Sequence, residues 1–162
     1  MGTTTMLYRI ILLLHVATAI VGFGGLIAHS AYHARAFRSK AGDAAVILQS
    51  TRAVRSLAEY SIYAVLPLGI VLIAISDDTF SMGEPWVSAS FLVWFVMVGA
   101  IHGLVRPAVR VIGQRAEALD PNSALQADPA AQAASKRMMM GEAAEQILVV
   151  IALILMIWQP GH

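Results

Sequence analysis

Residues 10–28 read IILLLHVATAIVGFGGLIA, and Arg35, Arg38 and Lys40 follow a short distance on. A run of this length without a charge is long enough, as a helix, to cross a hydrocarbon layer of roughly 30 Å. Its reading decides the fold, because three comparable stretches follow. The spans are expected at about 8–29, 57–76, 86–106 and 138–158 of the 162 residues. Hydrophobic residues make up 58% of the chain and charged residues 13%, outside the usual mix for a soluble protein. The lipid bilayer is therefore the main expected partner, and residues 1–162 form one integral membrane domain. The first run is too long for a signal peptide, has only Arg9 before it and is followed by basic residues, which predicts an uncleaved anchor. Met1-Gly2 resembles an acylation signal, but Met6 stands where Ser or Thr is required, so no acyl chain is expected.

Ten of the eleven Lys and Arg residues lie in two of the intervening segments. Arg35, Arg38, Lys40, Arg52 and Arg55 form one group; Arg106, Arg110, Arg115, Lys136 and Arg137 form the other. The segment between the second and third spans carries Asp77, Asp78 and Glu84 and no basic residue. The positive-inside rule predicts that both basic segments are cytoplasmic and that both termini lie outside. Tyr8, Phe80, Trp86 and Trp158 then fall at outer ends, as an aromatic belt would. The expected fold is all-α: an antiparallel four-helix transmembrane bundle with helical cytoplasmic extensions, N-out and C-out. With the basic residues read as orienting the chain in a membrane, no nucleic-acid partner is expected. The chain has no Cys, which excludes disulfides and thiol chemistry. Any metal would need His, carboxylate or Met ligands.

Asp43 is placed to cap a helix running into the second span, and Asp128-Pro129 has the N-cap and N1 character of a helix start. Helix four is thus expected from near Pro129, and residues 114–128, with Asp120-Pro121, are expected to be a surface loop. Pro67 leaves the Tyr63 carbonyl without its helical partner and predicts a kink. In the fourth span the uninterrupted apolar run, 147–158, is too short to cross alone, so Glu142 and Glu145 must enter the membrane.

At about 100° per residue, His15, Thr18, Gly22, Gly25, His29 and His33 share one stripe of helix one. Ser88, Gly99, His102, Gly103 and Arg106 form a similar stripe on helix three, and Glu142, Glu145 and Gln146 share a side of helix four. Intramembrane polar and small residues usually face protein, so these stripes are expected to meet inside the bundle. A rise of about 1.5 Å per residue puts Glu59, His102 and Glu142 each about 24 Å from the outer surface and Glu145 about 20 Å. Arg106 and His29 come near the same level. The prediction is a His/Glu layer at the inner leaflet, either an Arg106–glutamate ion pair or a functional site. His29 and His33, four apart, are candidate metal ligands with Glu59 and Glu145. His15, some 14 Å from the level of His102, cannot be its opposite axial ligand on one haem in near-vertical helices. Met138, Met139 and Met140 point about 100° apart and are read as packing. His162 is terminal. No P-loop, dinucleotide fingerprint, nucleophile elbow or hydrolase triad is present.

Leu14-His15-Val16, Gly24-Gly25, Gly83-Glu84-Pro85-Trp86, Arg106-Pro107-Ala108 and the ending Met156-Ile157-Trp158-Gln159-Pro160-Gly161 resemble a bacterial family of small predicted integral membrane proteins of unknown function. This likeness covers nearly the whole chain and implies a four-helix bundle in the bacterial cytoplasmic (inner) membrane. More distantly, Leu14-His15, Tyr32-His33, His102-Gly103 and Glu142-Ala143 are similar to membrane-bound protoporphyrinogen oxidase of haem synthesis, and helix one is similar to the copper-resistance D family. The oxidase likeness implies a cofactor site at His15, His102 and Glu142, with Glu142 the partner of His102. Ala28 and Gly141 depart from the oxidase pattern, where a basic residue and an asparagine stand.

The leading expectation is a non-catalytic subunit or small-ligand binder, with haem b or a divalent metal as the possible cofactor. A haem-linked membrane oxidoreductase and a proton or copper permeation role are the alternatives. Close glycine contacts on helix one would also suit a homo-oligomer or a larger membrane complex.

Overall fold

A computed structural model describes residues 5–77 and 79–161. Met1, Gly2, Asp78 and His162 lie outside the described residues. Six α-helices follow in order: α1 (Met6–Phe37), α2 (Ala41–Ser50), α3 (Arg52–Ala74), α4 (Pro85–Ala100), α5 (Arg106–Ala118) and α6 (Pro129–Trp158). A π-helical turn, Ile101–Val105, joins α4 and α5 into one continuous rod, and a short 3-10 turn, Leu125–Ala127, precedes α6. No strand occurs among the described residues; Lys40 and Ala124 form an isolated β-bridge. Four rods, α1, α3, α4 with α5, and α6, are long and apolar enough to cross a membrane.

The bundle is antiparallel throughout. Gly22 packs on Ile62 and Gly25 on Ala58, so α1 and α3 run in opposite directions. Glu59 meets Arg106 while Trp94 Nε1 donates to the Ile62 carbonyl at 2.8 Å, which reverses α3 against α4. His33 meets Glu142 and Ser30 meets Gln146, which reverses α1 against α6. Glycines set the close approaches: a Cβ on Gly25 would lie 2.4 Å from Ala58 Cβ, and one on Gly141 would lie 2.6 Å from Val105 Cγ2 in the π turn. Small residues at such crossings let helix backbones approach where lipid supplies no hydrophobic drive.

The expected stripe on helix one does face inward. The one on helix three does not. Ser88, Gly99, His102, Gly103 and Arg106 are exposed, while Val93, Met97, Ile101 and Val105 form the buried face. In a bilayer an apolar outer face and an apolar inner face cost the same in water-exclusion terms, so packing volume decides which turns inward. The bulky residues fill the bundle, and the glycines are left on the flank.

At the end that carries the basic residues, a second core continues beyond the spans. Ala36, Ala44, Ile112, Ala116, Leu125 and Ala131 pack together there, joining α2, α5 and the start of α6. Residues 114–128 are therefore not the surface loop expected: α5 continues to Ala118, and Leu125 is completely buried. The remaining connection is pinned by backbone bonds from Ala41 N to Ser123 O (2.9 Å) and from Gly42 N to Pro121 O (3.1 Å). Asp43 does not cap α2; Lys40 holds the N-cap position and Asp43 sits in the first turn. The helix also stops at Thr51, whose Oγ1 donates to the Ile47 carbonyl at 2.8 Å, and α3 starts anew at Arg52.

Asp128 caps α6 as expected, accepting from Ala131 N at 2.8 Å. Its carboxylate also takes Arg115 Nη2 at 2.6 Å, and the Arg115 fork together with the Ala131 N–H holds this carboxyl below the usual carboxylate range. At the opposite end, Gly161 has φ +92° and lies against Pro85, so the two terminal motifs meet. Tyr8, Phe80 and Trp86 do not form a lipid-facing belt there; they line a cavity, and Trp158 alone of the four is strongly exposed.

Candidate functional site

Glu59, Arg106, Glu142 and Glu145, carried by three of the spans, converge where the four rods approach the basic end. Glu59, on α3, is buried and receives two cations. Arg55 Nε, one helical turn before it, donates to Oε1 at 2.9 Å, and Arg106 Nε, from the start of α5, donates to Oε2 at 2.9 Å. A second Arg106 nitrogen, Nη2, also bonds Oε2, so both guanidinium contacts fall on one carboxylate oxygen while Arg55 holds the other. Hydrogen bonds between ionised groups are roughly twice as strong as neutral ones. On the other side, His33 Nδ1 on α1 donates to Glu142 Oε1 on α6 at 2.5 Å. His29 stacks on His33 with ring centroids 5.4 Å apart.

Two members of this layer carry buried polar atoms without a hydrogen bond of good geometry, although the Val54 backbone carbonyl lies near the His29 ring. His29 and Glu145 are 4% and 3% exposed, and both ring nitrogens of His29 and Oε1 of Glu145 are buried without a hydrogen bond. Leaving such groups unpaired in a low-dielectric interior costs free energy of about 1–3 kcal/mol for each lost partner. Both line one small cavity of about 20 Å³, together with Leu26, His33, Arg55, Glu59, Ile101, Val105 and Glu142. A space of roughly 10–15 Å³ or more admits one water molecule. The chemistry open to this arrangement is thus the holding of one small polar guest between an imidazole and a carboxyl group.

His29, His33, Glu59, Glu142 and Glu145 are brought to this one cavity. His102 is not. It faces outward from the π turn, with Arg106 Nη1 donating to its Nδ1 at 3.4 Å, which leaves Nε2 to hydrogen-bond Tyr63 Oη at 2.7 Å. Glu142 has His33 as its partner and not His102, contrary to the pairing the oxidase likeness implies. His15 lies in the other half of the bundle, on the aromatic cavity, with its ring against Gly69. Among the described residues, no group of three or more His, Asp or Glu side chains is placed to hold a metal ion. Met138 is buried while Met139 and Met140 are exposed, so the three methionines do not converge.

Arg55 is marked in the sequence by its i, i+4 spacing to Glu59, a standard helical ion-pair signal. Tyr63, the partner of the outward-facing His102, carries no such mark, since that contact spans two helices.

No curated protein and no solved structure matches this chain. A family model described as predicted integral membrane protein (DUF2269) matches residues 9–160. That span takes in nearly all of the four long rods and every residue of the charged layer, and the chain belongs to this family of predicted integral membrane proteins, DUF2269.

Proposed function

We propose that this protein is a non-catalytic bundle of the bacterial inner membrane that binds one small polar guest at its His/Glu layer, with the basic end in the cytoplasm. One observation carries the reading: His29 and Glu145 present unpartnered buried atoms to a cavity sized for a single water or a single ion. A haem is far too large for that space. An imidazole nitrogen and a carboxylate oxygen suit a first-row divalent cation, with one water the alternative guest. For a cation, Glu142 would have to leave His33 to complete the ligand set.

Metal analysis of the purified chain after loading with Zn²⁺ or Mn²⁺ tests the cation, and melting curves test the layer. Near-stoichiometric metal, lost in His29→Leu and in Glu145→Leu, supports it. If neither variant changes metal content and the double variant melts at or above the wild-type temperature, the layer binds nothing and serves only packing. Apolar replacement of an idle buried polar pair is often neutral or stabilising.

A further inference from the structure

The half of the bundle away from the basic end holds a cavity of about 410 Å³, within the size range of ligand sites. All four long rods contribute to it. Its walls are aromatic: Phe23, Phe91, Trp86 and Trp94 face it among aliphatic neighbours, and among the described residues no Lys, Arg, Asp or Glu lines it. Leu12 and Val16, exposed on the outer flank of α1, stand at its rim, so it opens sideways to the bilayer.

Most polar atoms on the wall are already engaged. Trp94 Nε1 donates to the Ile62 carbonyl at 2.8 Å, Trp86 Nε1 donates to Glu84, and Ser90 Oγ donates to the Trp86 carbonyl at 2.7 Å. The exception deep in the cavity is His15. Its Nδ1 makes no hydrogen bond of good geometry, although the Val65 backbone carbonyl lies near the ring, and its Cε1–Nδ1 edge is seated against Gly69, where a Cβ would lie 3.3 Å from Cε1. The ring is therefore accommodated by a glycine on the facing helix, and Nε2 is its remaining polar atom. Tyr8 and Gln159 line the mouth, about 10 Å further out along the helix rise for Tyr8.

We propose that this cavity binds a neutral, lipid-soluble ring compound carrying a carbonyl or hydroxyl oxygen, the chemistry of a quinone or quinol head group, with that oxygen hydrogen-bonded to His15. The aromatic walls offer faces for a flat ring to stack on. The absence of cationic side chains on the wall disfavours an anionic guest such as the propionates of a haem. A saturated acyl chain would make no use of either the ring faces or the imidazole. The proposal is independent of the His/Glu layer, which lies at the other end of the bundle.

Two of the chain's three tryptophans line the cavity, and Trp158 does not. The full chain carrying Trp158→Phe, in nanodiscs, is titrated with menadione and with decylubiquinone while tryptophan emission is followed. Saturable quenching at one probe per chain is expected, weakened about fivefold by His15→Leu, the worth of one hydrogen bond, and abolished by the cavity-filling Ala152→Phe. Melting curves of each variant show whether it remains folded; if Ala152→Phe is not, His15→Leu alone decides. Quenching that rises linearly without saturation overturns the proposal. So does saturable quenching that His15→Leu leaves unchanged and dodecane displaces as well as menadione, which would mark an acyl-chain groove.

Discussion

Gly24 and Gly25 are neighbours in the interior of α1 and should respond to alanine in opposite senses. A Cβ on Gly25 would lie 2.4 Å from Ala58 Cβ and 3.4 Å from Ala58 Cα, whereas one on Gly24 meets nothing within 4 Å. Carbon atoms in contact settle at about 3.5–4.0 Å, so Gly25→Ala must push α1 and α3 apart by roughly 1 Å or more. Neither methyl has a rotamer that relieves the overlap, since both sit directly on backbone. Overpacking of this kind costs about 1–3 kcal/mol. Gly24→Ala meets no neighbour and restores helix propensity, a gain of up to about 1 kcal/mol. Denaturation by dodecyl sulfate in maltoside micelles, followed by circular dichroism, gives both midpoints. Ala58→Gly in the Gly25→Ala background should recover most of the loss. Equal midpoints for the two alanine variants, or no recovery by Ala58→Gly, would refute the reasoning that direct helix contact at Gly25 holds α1 to α3.

Leu125→Ala should cost about 2–5 kcal/mol in the same denaturation assay, because its side chain is fully enclosed by the second core; a change under 0.5 kcal/mol would mean that region is not packed as described. Glu59→Ala leaves Arg55 and Arg106 without their shared anion and should lower stability by about 3 kcal/mol, the low end for a broken buried pair because Arg106 remains 42% exposed and can reach water. Asp128 has a folded pKa below its ordinary 3.8, so its contribution is fully present above that value and is lost as pH falls through the folded pKa. Asp128→Asn keeps a good N-cap and removes the Arg115 pair, so its melting temperature should change less than wild type below pH 4; parallel acid curves would exclude that pair as the cause. Single cysteines at exposed Val46 and Met82, in a chain with no native Cys, report orientation through membrane-impermeant labelling. Labelling of Val46→Cys from the cytoplasmic side and Met82→Cys from the other is expected, and the reverse pattern would invert the assignment.

Much of the charged layer was legible because helix rise is regular. Counting residues from the span ends placed Glu59, Glu142, Glu145 and His29 near one depth, and the structure gathers them on one cavity. Arg106 was also expected beside a glutamate and is found on Glu59. Depth along a helix, however, says nothing about rotation around it. His102 has the same depth and faces out, because Val93, Met97, Ile101 and Val105 occupy the inward face. The aromatic cavity was not legible at all. Tyr8, Phe80 and Trp86 looked like interfacial anchors from their positions in the chain, and only the spacing of the rods turns them onto a shared space.

The sequence by itself determined four spans, their alternation, the helix start at Asp128-Pro129 and the level at which ionisable groups enter the membrane. These follow from hydropathy, backbone propensity and the fixed rise of a helix, all local properties. The tertiary structure decided which face of each helix turns inward, which carboxylate takes which cation, and where the rods part to leave a cavity. Those outcomes depend on side-chain volumes meeting across helices, with Gly22, Gly25 and Gly141 setting the closest approaches, and no single segment contains that information.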